Sequence, residues 1–406
     1  MSRVLKGNNS SLIDAPSLWL LFLSFLRIGS TAFGGFMALV SAVQNEIVER
    51  KKLLAHSEML DGISLATILP GPVAVNVVAY VGYKLRGGPG ALVSATGVIL
   101  PSFILIVALS EAYFRWGQIP VVNKLFLGFI PAVTAIIVYA AWGMARKTIL
   151  GLSEFLIAVT ACSLLLYKGG FFITLSIIVI AGLAGWLSFA PFSNPLAGTK
   201  AAGTKKNKPV GKRKGVKLLA LNAPLAAAAF LTLNADLAIK LFLTFAGMSV
   251  LLFGGGFVFI PLIQQIVVQE QGWLTRQEFI DAIALGQITP GPILISAAFI
   301  GYKVMGLPGA AIATVAIFLP PALLMLISAH FLMRARESVV VQAALRGIRS
   351  AVIGMIAAAA WSIGATAVPN WLSAAIFLAA LIALLRFHVG VAWIIPSAGF
   401  TGLLLY

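Results

Sequence analysis

Apolar runs of about twenty residues fill most of this sequence, and they constrain its fold more than any other feature. Hydrophobic residues make up 60% of the chain and charged residues 10%, whereas a soluble surface needs roughly 25% charged residues. The sequence therefore predicts an all-α polytopic membrane protein. It argues against soluble enzymes, DNA-binding proteins and secreted disulfide scaffolds. About thirteen spans are expected, at 16–43, 59–83, 90–113, 121–143, 153–167, 170–190, 218–233, 237–267, 279–303, 309–333, 339–362, 371–385 and 389–406.

Part of the formal net charge of +17 comes from a single segment. Eight of the 29 Lys and Arg residues lie in 197–217, which contains no acidic residue and is rich in Gly, Lys, Thr and Pro. Such a composition cannot bury a core. Nucleic-acid binding is one interpretation, but between apolar spans a cytoplasmic linker that obeys the positive-inside rule is favoured. No nucleic-acid partner is expected.

The N-terminal tail, the single cysteine and the three histidines exclude further kinds of site and processing. Residues 1–15 form a polar tail without the pattern of a removable signal peptide. Cys162 is the only cysteine, which excludes an intramolecular disulfide, and the three histidines lack metal-ligand spacing. We expect no metal, no cofactor and no enzymatic activity.

The chain contains an internal repeat with an offset of 220 residues, which becomes 219 after one deleted residue. The offset places Phe-Gly-Gly at 33–35 over Phe-Gly-Gly at 253–255, and Pro-Gly-Pro at 70–72 over Pro-Gly-Pro at 290–292. It also places Gly-Tyr-Lys at 82–84 over Gly-Tyr-Lys at 301–303. We therefore predict a tail at 1–15, a first repeat at 16–196, the linker at 197–217, a marginal extra span at 218–236 and a second repeat at 237–406.

The number of crossings between the repeats decides their relative orientation. The counterpart of the first predicted span is the eighth, a displacement of seven spans, and an odd displacement means inverted topology. With the linker inside, most basic loops also fall inside, as the positive-inside rule requires, although Arg50, Lys51 and Lys52 fall outside. If 218–233 does not cross, the repeats become parallel.

Each repeat carries Pro-Gly-Pro in the middle of an apolar segment. Two prolines remove two backbone donors and prevent a continuous helix. Non-helical backbone at membrane depth is tolerated only inside protein or beside a watery cavity. Each copy is therefore expected to form two half-helices, as a broken span or a re-entrant hairpin, whose second N-terminus favours an anion. A proline kink that only shapes packing is the alternative. We assign substrate contacts to Pro70, Gly71, Pro72, Pro290, Gly291 and Pro292.

Glycine runs interrupt the first span of each repeat, and they allow close packing or an unwound turn that exposes amides. Packing is the simpler interpretation, but beside the Pro-Gly-Pro breaks we favour a shared cavity wall. The predicted substrate contacts here are Phe33, Gly34, Gly35, Gly254 and Gly255.

Arginines inside apolar runs are costly, which makes each a functional hypothesis. Arg27 lies within the first span, and Arg346 and Arg349 lie near the start of the segment at 339–362. Guanidiniums can bind an oxyanion through two hydrogen bonds. Alternatively, Arg27 pairs with a buried acid, and Arg346 and Arg349 reach the cytoplasmic edge.

Other polar residues accompany the two breaks. Lys84 and Lys303 end the Gly-Tyr-Lys motifs, and Asn76 and Ser296 follow the second prolines by about one helical turn. All four are candidate substrate ligands, although interfacial Lys anchors are common. Acids near the broken segments cap helices or carry a coupling proton, and the candidates for coupling are Asp61, Asp281 and Glu111.

The motifs LRIGSTAFGGF, LDGISLATILPGPVAVNVVAYVGYKLRG and their partial copies LFGGGF and GWLTRQEFIDAIALGQITPGP resemble the chromate ion transporter family, in its long two-domain form. The resemblance covers most of the chain outside 1–15, the linker and 218–233. It implies efflux of chromate, or of its analogue sulfate, across the bacterial inner membrane. The family commonly has Pro after Phe-Gly-Gly, whereas this chain has Phe36 and Gly256, a departure that bears on the exact substrate more than on the fold.

The function expected from these features is an anion carrier whose two repeats face each other across a midplane cavity and rock to give alternating access. A passive anion channel is an alternative. A membrane-embedded transferase is less favoured, because no polar loop carries clustered acids or histidines. Expected partners are a small oxyanion and membrane lipids, and the sequence leaves a homodimer open.

Overall fold

The computed structural model describes residues 16–33, 35–116, 120–168, 171–189, 234–252, 259–335, 338–365 and 371–406. Every regular element in these ranges is helical. Five of the described helices contain a stretch long and apolar enough to cross a membrane, at Val73–Trp116, Lys124–Thr148, Phe172–Phe189, Ile293–Ser328 and Val339–Gly364. The tail at 1–15, the linker at 197–217 and the marginal span at 218–233 lie outside the described residues.

The first repeat forms seven helices: α1 Leu18–Thr31, α2 Gly35–Val43, α3 His56–Ile68, α4 Val73–Trp116, α5 Pro120–Thr148, α6 Leu152–Tyr167 and α7 Phe171–Phe189. The second repeat forms the same series: α8 Ala235–Val250, α9 Phe259–Ile263, α10 Arg276–Ile288, α11 Ser296–Ala335, α12 Val339–Gly364, α13 Trp371–Arg386 and α14 Val391–Leu405. A π-helical segment follows α2 at Gln44–Arg50 and follows α9 at Gln264–Glu270.

Pro-Gly-Pro separates α3 from α4, and the two helices fold back on each other. Glu58 Oε1 lies 3.7 Å from Lys84 Nζ, and these residues are equally far along the chain from Gly71. A Cβ added to Gly62 would lie 2.5 Å from the Tyr80 ring. The second repeat folds in the same way, with Glu278 Oε1 2.9 Å from Lys303 Nζ. Each motif is thus the tip of a helical hairpin rather than a kink within one rod.

A sharp turn divides α4 into a short limb and a long limb. Arg86 and Gly87 have non-helical backbone angles, with φ of −143° and +65°, and Met305 and Gly306 in α11 have φ of −143° and +63°. Only glycine adopts the positive value without strain. Beyond the turn, Gly82 packs directly against the Gly90 carbonyl, so the long limb returns along the short one. The predicted spans at 59–83 and 90–113 are therefore a hairpin joined to a long helix.

The two repeats exchange equivalent contacts. Gly128 on α5 packs against Ala398 on α14, and its counterpart Gly347 on α12 packs against Ala181 on α7. Small residues at such crossings let helix backbones approach closely. Each repeat thus packs its fifth helix against the last helix of the other repeat. The two fifth helices, α5 and α12, also pack against each other.

Candidate functional site

The tip of each hairpin is hydrogen-bonded to the chain just after the first helix of the other repeat. The backbone N–H of Gly71 donates to the carbonyl of Leu252 at 2.5 Å, and that of Gly291 donates to the carbonyl of Ala32 at 2.9 Å. Ala32 and Leu252 directly precede the two Phe-Gly-Gly motifs. The molecule therefore joins both Pro-Gly-Pro tips to the chain beside both glycine runs.

Glycine is required at both tips. Gly71 has φ of +107° and Gly291 has φ of +103°, values that strain any residue with a Cβ. At Gly71 a Cβ would also overlap Cβ of Pro321 and lie 2.7 Å from its Cγ. At Gly291 the nearest atom is Ser102 Oγ, at 3.2 Å. Pro321 and Ser102 occupy equivalent positions in α11 and α4, so each tip is held against the long helix of the other repeat.

Polar side chains near the tips are buried and incompletely paired. Asn76 is fully buried and donates to the Pro70 carbonyl at 3.3 Å, while its Oδ1 has no hydrogen-bond partner. Gln287 is also buried, and its Nε2 has no partner. Ser296 donates to the Ile293 carbonyl at 3.0 Å. A buried donor without an acceptor is costly, so Gln287 is suited to an acceptor supplied by a ligand.

The three arginines have different surroundings. Arg27 lies on an exposed face of α1, and within the described part of the chain no carboxylate pairs with it. Arg349 Nη2 donates to the Thr67 carbonyl at 3.4 Å, in the last turn of α3. Arg346 pairs with the buried carboxylate of Glu154 and stacks on the Phe189 ring at 4.3 Å. Arg349 is thus the arginine that reaches a hairpin tip.

The lysines of the Gly-Tyr-Lys motifs lie away from the tips. Lys84 and Lys303 sit at the open ends of the hairpins, where they pair with Glu58 and Glu278. Lys303 also lies 4.9 Å from the Phe114 ring centroid. These ion pairs join the two limbs of each hairpin.

Of the substrate contacts predicted in the two glycine runs, the structure describes only some. Phe33 is about half exposed, at 48%. Gly35 begins α2. Gly34, Gly254 and Gly255 lie outside the described residues.

Three acids were predicted to carry a coupling proton, and they differ in burial. Asp281 is 1% exposed and accepts hydrogen bonds from Tyr113 Oη at 2.7 Å and Gln277 Nε2 at 3.0 Å. Glu111 interacts with Tyr302 and Arg115. Asp61, the counterpart of Asp281, is only partly buried. Asp281 is therefore the most buried of these three acids, and its tyrosine partner comes from the other repeat.

Two polar cavities lie toward opposite ends of α12. One, of about 300 Å³, is lined by Lys147, Gln342, Arg346 and Arg349 among others. The other, of about 290 Å³, is lined by Gln264, Gln265, Gln269, Arg276 and Ser362 among others. Larger cavities elsewhere have mainly apolar linings.

Some contacts could not be found from motifs. Ala32 and Leu252 contribute only carbonyl groups, which any residue type supplies. Lys147 and Glu154 belong to the first repeat and join Arg346 and Arg349 of the second through tertiary packing. The sequence feature that points to Ala32 and Leu252 is the 220-residue offset, because it makes them equivalent positions.

Known proteins are similar to this chain over both repeats. The family model described as "Chromate transporter" matches residues 19–186 and 239–403. The "Chromate transport protein" of Cupriavidus metallidurans is 30% identical over 98% of this chain and 96% of its own. The "Probable chromate transport protein" of Synechococcus elongatus is 32% identical over 84% of this chain and 83% of its own.

A shorter relative matches one part of the chain. The "Uncharacterized transporter YwrA" of Bacillus subtilis is 31% identical over 30% of this chain and 68% of its own. No solved structure matches. The matched proteins are named as transporters rather than enzymes, and the apolar helices indicate a multi-pass membrane protein. With the family model covering both repeats, the chain belongs to the chromate transporter family.

Proposed function

We propose that this protein is a secondary active transporter that exports chromate, or the related oxyanion sulfate, across the bacterial inner membrane by alternating access. The substrate class is supported by the names of its relatives. The observation that carries the mechanism is the exchange of hydrogen bonds between the two hairpin tips and the first helices of the opposite repeats. Such a centre, built from both repeats, is where a carrier binds its substrate.

The hairpins support inverted topology by a new count of crossings. With 13 residues, α3 is about 20 Å long, too short to span a bilayer. If its hairpin enters and leaves on one face, each repeat crosses five times, through α1 with α2, the long limb of α4, α5, α6 and α7. Five is odd, so the repeats are inverted without a crossing at 218–233. A crossing there makes them parallel.

The basic residues that follow the first span are consistent with the same count. In the thirteen-span arrangement Arg50, Lys51 and Lys52 fall outside, against the positive-inside rule. A re-entrant hairpin places them on the face that carries Lys84 and Arg86. The C-terminal end of α5, with Arg146 and Lys147, and the linker also lie on that face, so this exception disappears, while Arg3, Lys6 and Arg276 move to the opposite face.

The central helix pair gives independent support for inversion. A Cβ added to Gly364 on α12 would lie 3.1 Å from Thr134 Cγ2 on α5. The counterpart of Thr134 in α12 is Ile353, which lies three helical turns before Gly364. Equivalent helices that ran parallel about an axis along the membrane normal would meet at equivalent positions. The observed offset is expected for antiparallel helices, as inverted repeats require.

We place the anion near the hairpin tips. The helix α4 starts at Val73, so its positive dipole end and the first amides, which have no partner within the helix, lie at the first tip. Arg349 supplies a full charge beside this tip, and Gln287 supplies an unpartnered donor in the other repeat. The Arg349 and Gln287 donors suit a tetrahedral oxyanion better than a cation, whereas Asn76 and Ser296 already donate to the carbonyls of Pro70 and Ile293.

Unequal burial of the two hairpins favours a carrier over a channel. Residues 279–287 of α10 are all buried, whereas much of α3 is exposed or half-buried. Tyr113 and Phe114 pack on Phe299 beside α10, with ring centroids 5.1 and 5.0 Å apart. The second hairpin is thus buried under aromatic packing while the first is partly exposed. A rocking motion that exchanges the two environments gives alternating access.

The test is flux of radiolabelled chromate and sulfate in proteoliposomes. We compare the wild type with Arg349→Gln and Arg27→Ala, and use Arg146→Gln as a control because that arginine is exposed at the end of α5. A hydrogen bond to a charged group contributes about 1.5–3 kcal/mol, so Arg349→Gln should lower kcat/KM by roughly ten- to a hundredfold.

Three results would count against the proposal. If no oxyanion moves, the transporter function fails. If Arg349→Gln and Arg146→Gln behave alike, the assignment of Arg349 fails. If flux never runs against the gradient of the anion under any imposed proton or ion gradient, the passive channel replaces the carrier.

A further inference from the structure

The most basic of the described cavities lies at the cytoplasmic end of α12 in the proposed topology. Lys147 is in the last turn of α5, and Arg346 and Arg349 are three residues apart on one face of α12. The described residues that line this cavity include no acid. Its volume of about 300 Å³ is room for roughly ten water molecules, enough for a small, partly hydrated ion.

The charges around the cavity do not balance. Among the described residues, three cations line the cavity and one carboxylate, Glu154, pairs with Arg346 from outside the lining. Two positive charges remain, and they match a dianion. Stacking on Phe189 holds Arg346 in place while leaving 46% of its side chain exposed. A cationic site held in a fixed position in this way is suited to bind tetrahedral oxyanions.

One residue connects the cavity to the proposed centre. Arg349 lines the cavity and also donates to the Thr67 carbonyl, in the last turn before the first hairpin tip. An anion held between Lys147 and Arg349 is therefore adjacent to the group that we assign to the tip. The two sites share the Arg349 guanidinium of α12, but the remaining groups of each site come from different helices.

We propose that this cavity is a second binding site for a tetrahedral oxyanion, from which the anion reaches Arg349 and the hairpin tip. The binding role stands on the cavity alone, whereas the loading role rests on the proposed function. The same chemistry is presented by a free dianion and by the phosphate of an anionic lipid, and the experiment separates these sources.

The experiment measures protection of a cysteine placed in the cavity. Cys162 is replaced by alanine, Thr148→Cys is introduced, and alkylation by a neutral maleimide is followed in full-length protein reconstituted in phosphatidylcholine vesicles. Sulfate is the probe, because chromate oxidises thiols, and chloride at equal ionic strength is the reference. We expect sulfate to slow labelling at least threefold and to do so saturably. Leu385→Cys, on an exposed helix end assigned to the same face, should be unaffected.

Charge variants assign the effect to the cavity. Lys147→Gln should abolish protection, whereas its neighbour Arg146→Gln, which does not line the cavity, should retain it. Lys147 has an exposed side chain, so its loss should not prevent folding.

The outcomes are distinct. Protection by sulfate identifies a free dianion as the ligand, and protection only when phosphatidylglycerol is added identifies a lipid phosphate. Absence of protection by both, or equal protection in Lys147→Gln, overturns the proposal. Flux measured on the same vesicles separates the two hypotheses: flux without protection refutes the cavity site alone, and protection without flux refutes the transporter function alone.

Discussion

Alanine at the two hairpin tips should be tolerated unequally, although the motifs are identical. Both glycines have φ above +100°, and a residue with a Cβ there costs of order 1–3 kcal/mol in backbone strain. At Gly291 the added methyl would meet only Ser102 Oγ at 3.2 Å and its Cβ at 3.5 Å within the closest shell. Gly291→Ala should therefore lose little beyond the strain.

Gly71→Ala adds a steric cost to the same strain. Its methyl would overlap Cβ of Pro321 and lie 2.7 Å from Cγ, and a proline ring within a helix cannot rotate away. Overpacking of a close contact costs about 1–3 kcal/mol. The total is about 2–6 kcal/mol for Gly71→Ala, against about 1–3 kcal/mol for Gly291→Ala.

The assay is the apparent melting temperature of the purified protein in detergent, read by fluorescence-detected gel filtration, together with oxyanion flux. Irreversible unfolding makes the order of the midpoints the measured quantity rather than their absolute values. We expect wild type, then Gly291→Ala, then Gly71→Ala. Gly143→Ala is the control, because a Cβ there meets no atom within 4 Å. Equal losses at the two tips would refute the role of Pro321, and no loss at either would refute the strain argument.

Other substitutions test the remaining assignments. Asp281→Asn should leave the fold intact but abolish stimulation of flux by a proton gradient, measured with and without an ionophore; full stimulation in the variant would exclude this acid. Lys84→Ala should change stability by less than about 1 kcal/mol, because its ion pair with Glu58 is exposed, and flux should persist; a large loss of flux would return this lysine to the substrate site. Arg346→Ala should lower the melting temperature more than Glu154→Gln does, because it leaves a buried carboxylate unpaired; the reverse order would contradict the buried pair.

Much of the architecture could be read from the sequence. The apolar runs coincide with helices because a helix is the structure that satisfies its own backbone groups in lipid. The 220-residue offset predicted equivalent elements, and α3 and α10 begin and end at positions that match it. The helix breaks at Pro-Gly-Pro also follow from local chemistry, since proline removes a backbone donor wherever it stands.

Whether a break gives a bent rod or a hairpin is not a local property. The contacts of Glu58 with Lys84 and of Gly62 with Tyr80 decide it, and they join residues far apart in the chain. In the proposed topology, the hairpin changes the number of crossings and the side on which Arg50 lies. A count of apolar runs therefore gives the helices, but it cannot by itself give the topology.

The arginines likewise separate what the sequence determines from what tertiary packing decides. The sequence marked Arg27, Arg346 and Arg349 as costly residues in apolar surroundings, because desolvation of charge depends on residue type and depth. It could not distinguish among them. Only tertiary packing brings Glu154 to Arg346 and the Thr67 carbonyl to Arg349, since both partners come from the other repeat. The sequence thus determined which groups are available to meet an anion, and the fold decided which charges are already compensated and which still face the hairpin tips.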